Sequence, residues 1–133
     1  MPHRRWKTVL VEDDLALQAV LAGFLEAEGC KVTCFFWGRF LMEYLCRRPK
    51  IDLAICDLIL PGLITGVDCL RAIHSASPEA PIIVISEASK STKLAALKAG
   101  ATVVINKPIK NDLVIEAIRR ALLLRKMIAP HHG

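Results

Sequence analysis

The chain has 133 residues, a formal net charge of +5, 53% hydrophobic and 23% charged residues, and a mean hydropathy of +0.41. That is the length of one domain, and too apolar for a disordered chain. No apolar run approaches the roughly 20 residues of a membrane span. The apolar residues 9–11 are cut at once by Glu12, Asp13 and Asp14, which argues against a signal peptide.

The five cysteines are Cys30, Cys34, Cys46, Cys56 and Cys69. Their number is odd and no Cys-x-x-Cys occurs. His3, His74, His131 and His132 lack ligand spacing around them. The pattern reads as reduced, mostly buried thiols of a cytoplasmic protein, not as disulfides or a zinc site. Basic clusters lie at Arg4-Arg5-Lys7, Arg47-Arg48-Lys50 and from Arg119 to Lys126. No aromatic stripe interleaves with them, so they predict acidic partner surfaces and no nucleic acid.

In chain order, residues 8–11 are β-branched and apolar, a first strand. Leu17, Val20, Leu21, Phe24 and Leu25 recur at helical spacing, with Asp13 or Asp14 as cap and Gly29 as stop. Residues 31–36 form a weaker second strand, and 38–48 a short helix ended by Pro49. Residues 51–56 are a buried strand ended by Asp57, and helix resumes at 66–75. Residues 82–85 are a fourth strand, followed by Ser86 and a helix over 91–99 that closes at Gly100. Residues 102–105 make the fifth strand, ended by Asn106-Lys107-Pro108. Asn111 or Asp112 caps a last helix reaching about Met127.

Strands alternating with helices predict an α/β fold. The expected form is a flavodoxin-like (βα)5 three-layer sandwich, whose five-stranded parallel sheet has the order 2-1-3-4-5. Ligands in such a sheet bind beyond the carboxyl ends of the strands. Those ends carry Glu12, Asp13 and Asp14, then Asp57, Ser86 and Lys107. Clustered carboxylates repel, so one stays protonated or a cation holds them. All-oxygen donors suit Mg²⁺. A carboxylate can attack phosphorus, with Mg²⁺ and a lysine neutralising charge.

These pieces together resemble the receiver domain of bacterial response regulators. They are Val9-Leu10-Val11-Glu12-Asp13-Asp14, the run from Asp52 through Cys56-Asp57 to Leu60-Pro61-Gly62, Ile83-Val84-Ile85-Ser86, and Ala99-Gly100-Ala101 leading to Lys107-Pro108. The resemblance implies a receiver over residues 5–127 with a tail at 128–133. It implies phosphorylation of Asp57 by a histidine kinase or histidine phosphotransfer protein in a two-component phosphorelay. It implies Mg²⁺ on Glu12, Asp13, Asp57 and the backbone carbonyl of Ile59. Ser86 and Lys107 would move toward the phosphoryl group, and a cis peptide bond would precede Pro108. The surface made by the fourth helix, fifth strand and fifth helix would then change. The domain would be a signalling phosphoacceptor, with self-phosphorylation and self-dephosphorylation as its only catalysis.

Three residues or segments depart from the family's pattern. Glu87 stands where a small residue follows the hydroxyl, and is expected to slow transfer from small donors. Val104 stands where a Tyr or Phe rotates on activation, and a β-branched side chain cannot act as that ring. The loop from Leu60 to Gly66 is one residue longer than the common form. The rival is a degenerate receiver, a protein-interaction module independent of phosphorylation. A phosphatase would carry Asp-x-Asp after the first strand, and a flavin module a Ser, Thr and Gly-rich loop there. Neither is present.

Asp14 reads as a cap, His74 as a helix-surface residue, and Trp6 and Trp37 as packing or edge residues. In the last helix, Leu113, Ala117, Ala121 and Leu124 are the expected core face. Val114, Ile115, Ile118, Leu122, Leu123, Met127 and Ile128 are then more than one face buries. The excess predicts either a wide buried stripe or docking to a partner or a second copy.

Overall fold

The computed structural model describes residues 5–128. Five strands alternate with five helices: β1 (Trp6–Val11), α1 (Leu15–Ala27), β2 (Cys30–Phe35), α2 (Gly38–Leu45), β3 (Leu53–Cys56), α3 (Gly66–Ala76), β4 (Ile82–Ser86), α4 (Lys90–Ala99), β5 (Val103–Asn106) and α5 (Asn111–Ile128). The strands make one sheet of order β2-β1-β3-β4-β5, and every pair is parallel. The expected α/β architecture is the observed one.

Register explains the three layers. Val9, Ala54 and Ile82 lie side by side across β1, β3 and β4. All three face a core that takes Leu41 from α2, Leu70 from α3 and Ala96 from α4. One residue further along, Leu10, Ile55 and Ile83 form the next row. They face Leu21 and Leu25 of α1 and Val114 and Ile118 of α5. Successive side chains of a strand point to opposite faces. Both faces are covered, so these strands are apolar throughout.

Local signals set most boundaries. Asp14 caps α1 by accepting the Leu17 N–H at 3.1 Å, and Gly29 follows the helix with φ +89°. Thr65 and Asp68 form a reciprocal capping box on α3. Ser89 caps α4, which begins at Lys90, one residue before the expected start, and Gly100 ends it with φ +121°. α2 stops at Leu45, short of the expected 48, and Arg48 sits in the left-handed region with φ 53°. Asn111 is the first helical residue of α5 and not its cap.

The face of α5 differs from expectation. Val114, Ile118, Ala121, Leu122 and Arg125 are buried, whereas Leu113 is 55% and Leu124 42% exposed. Ala121 alone of the expected core residues lies fully inside. This helix is apolar on more than one side, so periodicity allows several rotations about its axis. Packing on β3 and β4 selects one of them. Among the cysteines, Cys30, Cys56 and Cys69 are buried and Cys34 and Cys46 exposed, all with free thiols. His3, His131 and His132 lie outside the described residues, as do residues 129–133 of the expected tail.

Candidate functional site

Four chain segments converge at the carboxyl edge of the sheet. β1 delivers Glu12 and Asp13, β3 delivers Asp57, β4 ends in Ser86, and Lys107 follows β5. The ladder places them: the Asp57 N–H donates to the Val11 carbonyl at 3.0 Å, and the Lys107 N–H to the Ser86 carbonyl at 3.2 Å.

Glu12 and Asp57 are buried, at 1% and 4% exposed, and Ser86 is fully buried. One oxygen from each of Glu12, Asp13 and Asp57 lies within 4.8 Å of the others. Lys107 Nζ donates to Asp57 Oδ2 at 2.6 Å and stands 3.1 Å from Glu12 Oε1. The other oxygens are also satisfied. The Asp14 N–H donates to Glu12 Oε2 at 3.0 Å, and the Ile59 N–H to Asp57 Oδ1 at 3.0 Å. The Ser86 Oγ accepts the Ala88 N–H at 3.2 Å. The peptide bond between Lys107 and Pro108 is cis.

Burial raises the pKa of Glu12. The Asp14 N–H and Lys107 oppose this without cancelling it, and the charge of Asp57 adds to it. Burial works to lower Lys107, but its bonds to Asp57 and Glu12 outweigh that and hold its pKa up. Three carboxyl groups thus face one ammonium. The donor set fits a hard divalent cation: it is all oxygen, close-spaced and in excess negative charge.

The remaining expected residues fall differently. Glu87 is exposed. Val104 is half-buried and packs against the core beneath α2, α3 and α4. Gly66 is a residue whose role the sequence did not disclose. A Cβ there would lie 2.2 Å from the Asp57 carbonyl oxygen and 2.3 Å from the Leu58 Cα. Only glycine lets the start of α3 press against the backbone that carries Asp57. The signal was a glycine directly after the Thr65 cap.

Two further pairs were not visible in the sequence. Lys93 of α4 donates to the Asn106 side chain at the end of β5. Arg125 Nη2 of α5 lies 3.3 Å from Asp52 Oδ1 at the start of β3. Asp52 also accepts the Lys7 N–H, through Oδ2 at 2.9 Å.

Comparison with known proteins gives a consistent picture. The family model of the response regulator receiver domain matches residues 8–119. The C4-dicarboxylate transport transcriptional regulatory protein DctD of Pseudomonas aeruginosa is 28% identical over 124 residues, covering 92% of this chain and 26% of DctD. The nitrogen assimilation regulatory protein NtrX of Azorhizobium caulinodans is 33% identical over 117 residues, covering 86% of this chain and 25% of NtrX. The chain therefore spans about a quarter of these relatives. Among solved structures, a CheY-like receiver domain protein from Methanospirillum hungatei superposes with a TM-score of 0.82 at 26% identity, over 94% of this chain and 99% of that one. No helix among the described residues is long and apolar enough to cross a membrane.

Proposed function

This chain belongs to the response regulator receiver domain family, and from that premise we propose that it is the phosphoacceptor of a two-component phosphorelay, taking its phosphoryl group on Asp57. The observation that carries this reading is the bridge from Lys107 to both Asp57 and Glu12. It sets an ammonium against the buried carboxylate that would attack phosphorus, beside a concentrated negative site.

In the proposed reaction an Asp57 carboxylate oxygen forms a bond to phosphorus. The phosphorus–nitrogen bond of a donor phosphohistidine breaks, and its electron pair stays on the imidazole. The donor is a histidine kinase or histidine phosphotransfer protein. Glu12, Asp13, Asp57 and the Ile59 carbonyl would hold Mg²⁺, which supplies charge neutralisation to the transferred oxygens. Lys107 supplies a second positive charge from the other side. The Ser86 hydroxyl, freed from the Ala88 N–H, donates to a phosphoryl oxygen. Phosphorylation adds charge and acceptors that draw Ser86 and Lys107 inward.

Movement of Lys107 carries the end of β5 with it, and Asn106 ties that end to Lys93 of α4. The surface of α4, β5 and α5 is the output, with Leu94, Leu97, Val103, Leu113 and Leu124 exposed on it. That surface is where a second copy docks in this reading. The domain occupies residues 5–127 and works in the cytoplasm. It binds neither nucleic acid nor membrane, and catalyses only its own phosphorylation and dephosphorylation.

Incubation with acetyl phosphate and Mg²⁺ tests the reading. The native protein should take up label and Asp57→Ala should not. A second reading, an interaction module independent of phosphorylation, draws on Val104, which fills the inward position without a rotating ring. An unlabelled native protein would favour it. Glu87→Ala should label faster than the native chain, and an unchanged rate would remove Glu87 as a modulator.

A further inference from the structure

The basic residues at the opposite end of the sheet take no part in that switch. β1 and β2 pair with Lys7 directly beside Lys31, and with Val9 beside Thr33. Val9 faces the core beneath α2. Side chains two apart on a strand share a face, so both lysines rise on the α2 side. Like charges directly opposite each other are unfavourable. Among the described residues, neither ammonium has a carboxylate partner.

The last turn of α2 and the connection after it border this pair, whose side chains are exposed. Tyr44 and Lys50 complete, with Lys7, Lys31 and Thr33, the lining of a cavity of about 170 Å³. The Tyr44 ring is held against Phe35, 5.1 Å between centroids. Lys50 also lacks an ion-pair partner among the described residues. Three cations therefore come to one small cavity from three separate segments: β1, β2 and the link between α2 and β3. The volume lies below the range of roughly 300–1,000 Å³ typical of drug-sized ligands, so it suits a single compact oxyanion. Three positive charges match a dianion better than a lone carboxylate. Lysine is a common point-charge partner of phosphate.

We propose that this cavity is an anion site that takes the phosphate group of a phosphomonoester or diphosphate, held by Lys7, Lys31 and Lys50. The bound dianion relieves the repulsion between Lys7 and Lys31. The site lies at the end of the sheet away from Asp57, so it is independent of the phosphoacceptor chemistry.

Inorganic pyrophosphate is the probe, titrated at constant ionic strength with EDTA present and followed by backbone amide NMR of the full chain. Saturable shifts are expected at Lys7, Lys31, Thr33, Tyr44 and Lys50, with a rise in thermal midpoint. Lys31→Met should bind about tenfold more weakly, the scale of one lost charge-assisted bond. Without anion it should be no less stable than the native protein, because its repulsion with Lys7 is gone. Lys50→Met should weaken binding by a similar factor and gives an independent reading on a connection outside the sheet. Vesicles containing phosphatidic acid distinguish a lipid source: binding that Lys31→Met abolishes assigns a lipid phosphate, and no binding beside saturable pyrophosphate assigns a soluble one. Shifts that grow linearly with concentration, that centre on Asp57 and Ser86, or that keep the native affinity in Lys31→Met would overturn the proposal. The lysines would then merely offset the negative carboxyl end of α2.

Discussion

Lys107 Nζ stands 2.6 Å from Asp57 Oδ2 and 3.1 Å from Glu12 Oε1. A single ammonium from the end of β5 thus holds together two buried carboxylates from β1 and β3. Removing one partner of a buried ionic group leaves uncompensated charge behind, at a cost of about 3 kcal/mol. Lys107→Ala should lose stability on that scale in urea unfolding with EDTA. Added Mg²⁺ should restore part of the loss if Glu12, Asp13 and Asp57 bind it. The native protein should gain less from the same addition, because its lysine already neutralises one charge.

Asp52 and Arg125 form a second buried ionic pair, at 1% and 6% exposed. Among the described residues, Arg125 Nε and Nη1 have no hydrogen-bond partner, so the pair is costly to desolvate. Arg125→Met should destabilise by about 3 kcal/mol, since it removes the guanidinium that faces a buried carboxylate. Asp52→Asn combined with Arg125→Met should cost clearly less than the sum of the single changes. The asparagine oxygen can still accept the Lys7 N–H. A double-mutant cycle by chemical denaturation measures the difference.

Gly66 presses on the backbone of Asp57 and Leu58. Gly66→Ala must push α3 away from the end of β3. Overpacking of this kind costs about 1–3 kcal/mol. The displaced Asp57 should also take label from acetyl phosphate more slowly than in the native protein. Gly23→Ala is the control, because a Cβ there meets nothing within 4 Å.

The capping box on α3 gives a pH signature. The Thr65 N–H, and then the Thr65 side chain, hold Asp68 below its ordinary 3.8. A carboxylate with a lowered folded pKa stabilises the protein above its unfolded value, and loses that contribution as pH falls through the folded value. Asp68→Asn should therefore be less stable than the native protein at neutral pH. The gap should close in acid, below the ordinary carboxylate range. Thr65→Ala should cost about 1 kcal/mol. Thermal unfolding across pH checks both.

Much of the site was legible because it sits where strands stop. Runs such as Ile82-Ile83-Val84-Ile85 are apolar on both faces and end at a polar residue. In a parallel sheet such ends share one edge, so Glu12, Asp57, Ser86 and Lys107 could be grouped from their spacing. The α5 face was not legible. Leu113, Val114, Leu122, Leu123 and Leu124 satisfy helical periodicity in more than one rotation. Gly66 was not legible either, since a close backbone approach leaves no pattern beyond the glycine itself.

By itself the sequence determined the alternation of elements, the parallel α/β fold and the set of polar residues at the strand ends. Those features are local: burial on both faces writes apolar runs, and caps and glycines write the boundaries. Only the tertiary structure decided which oxygens Lys107 bridges, which side of α5 faces the sheet, and how Lys7, Lys31 and Lys50 meet around one cavity. Each of these depends on residues far apart in the chain. Strand register and helix rotation bring them together, and packing selects both.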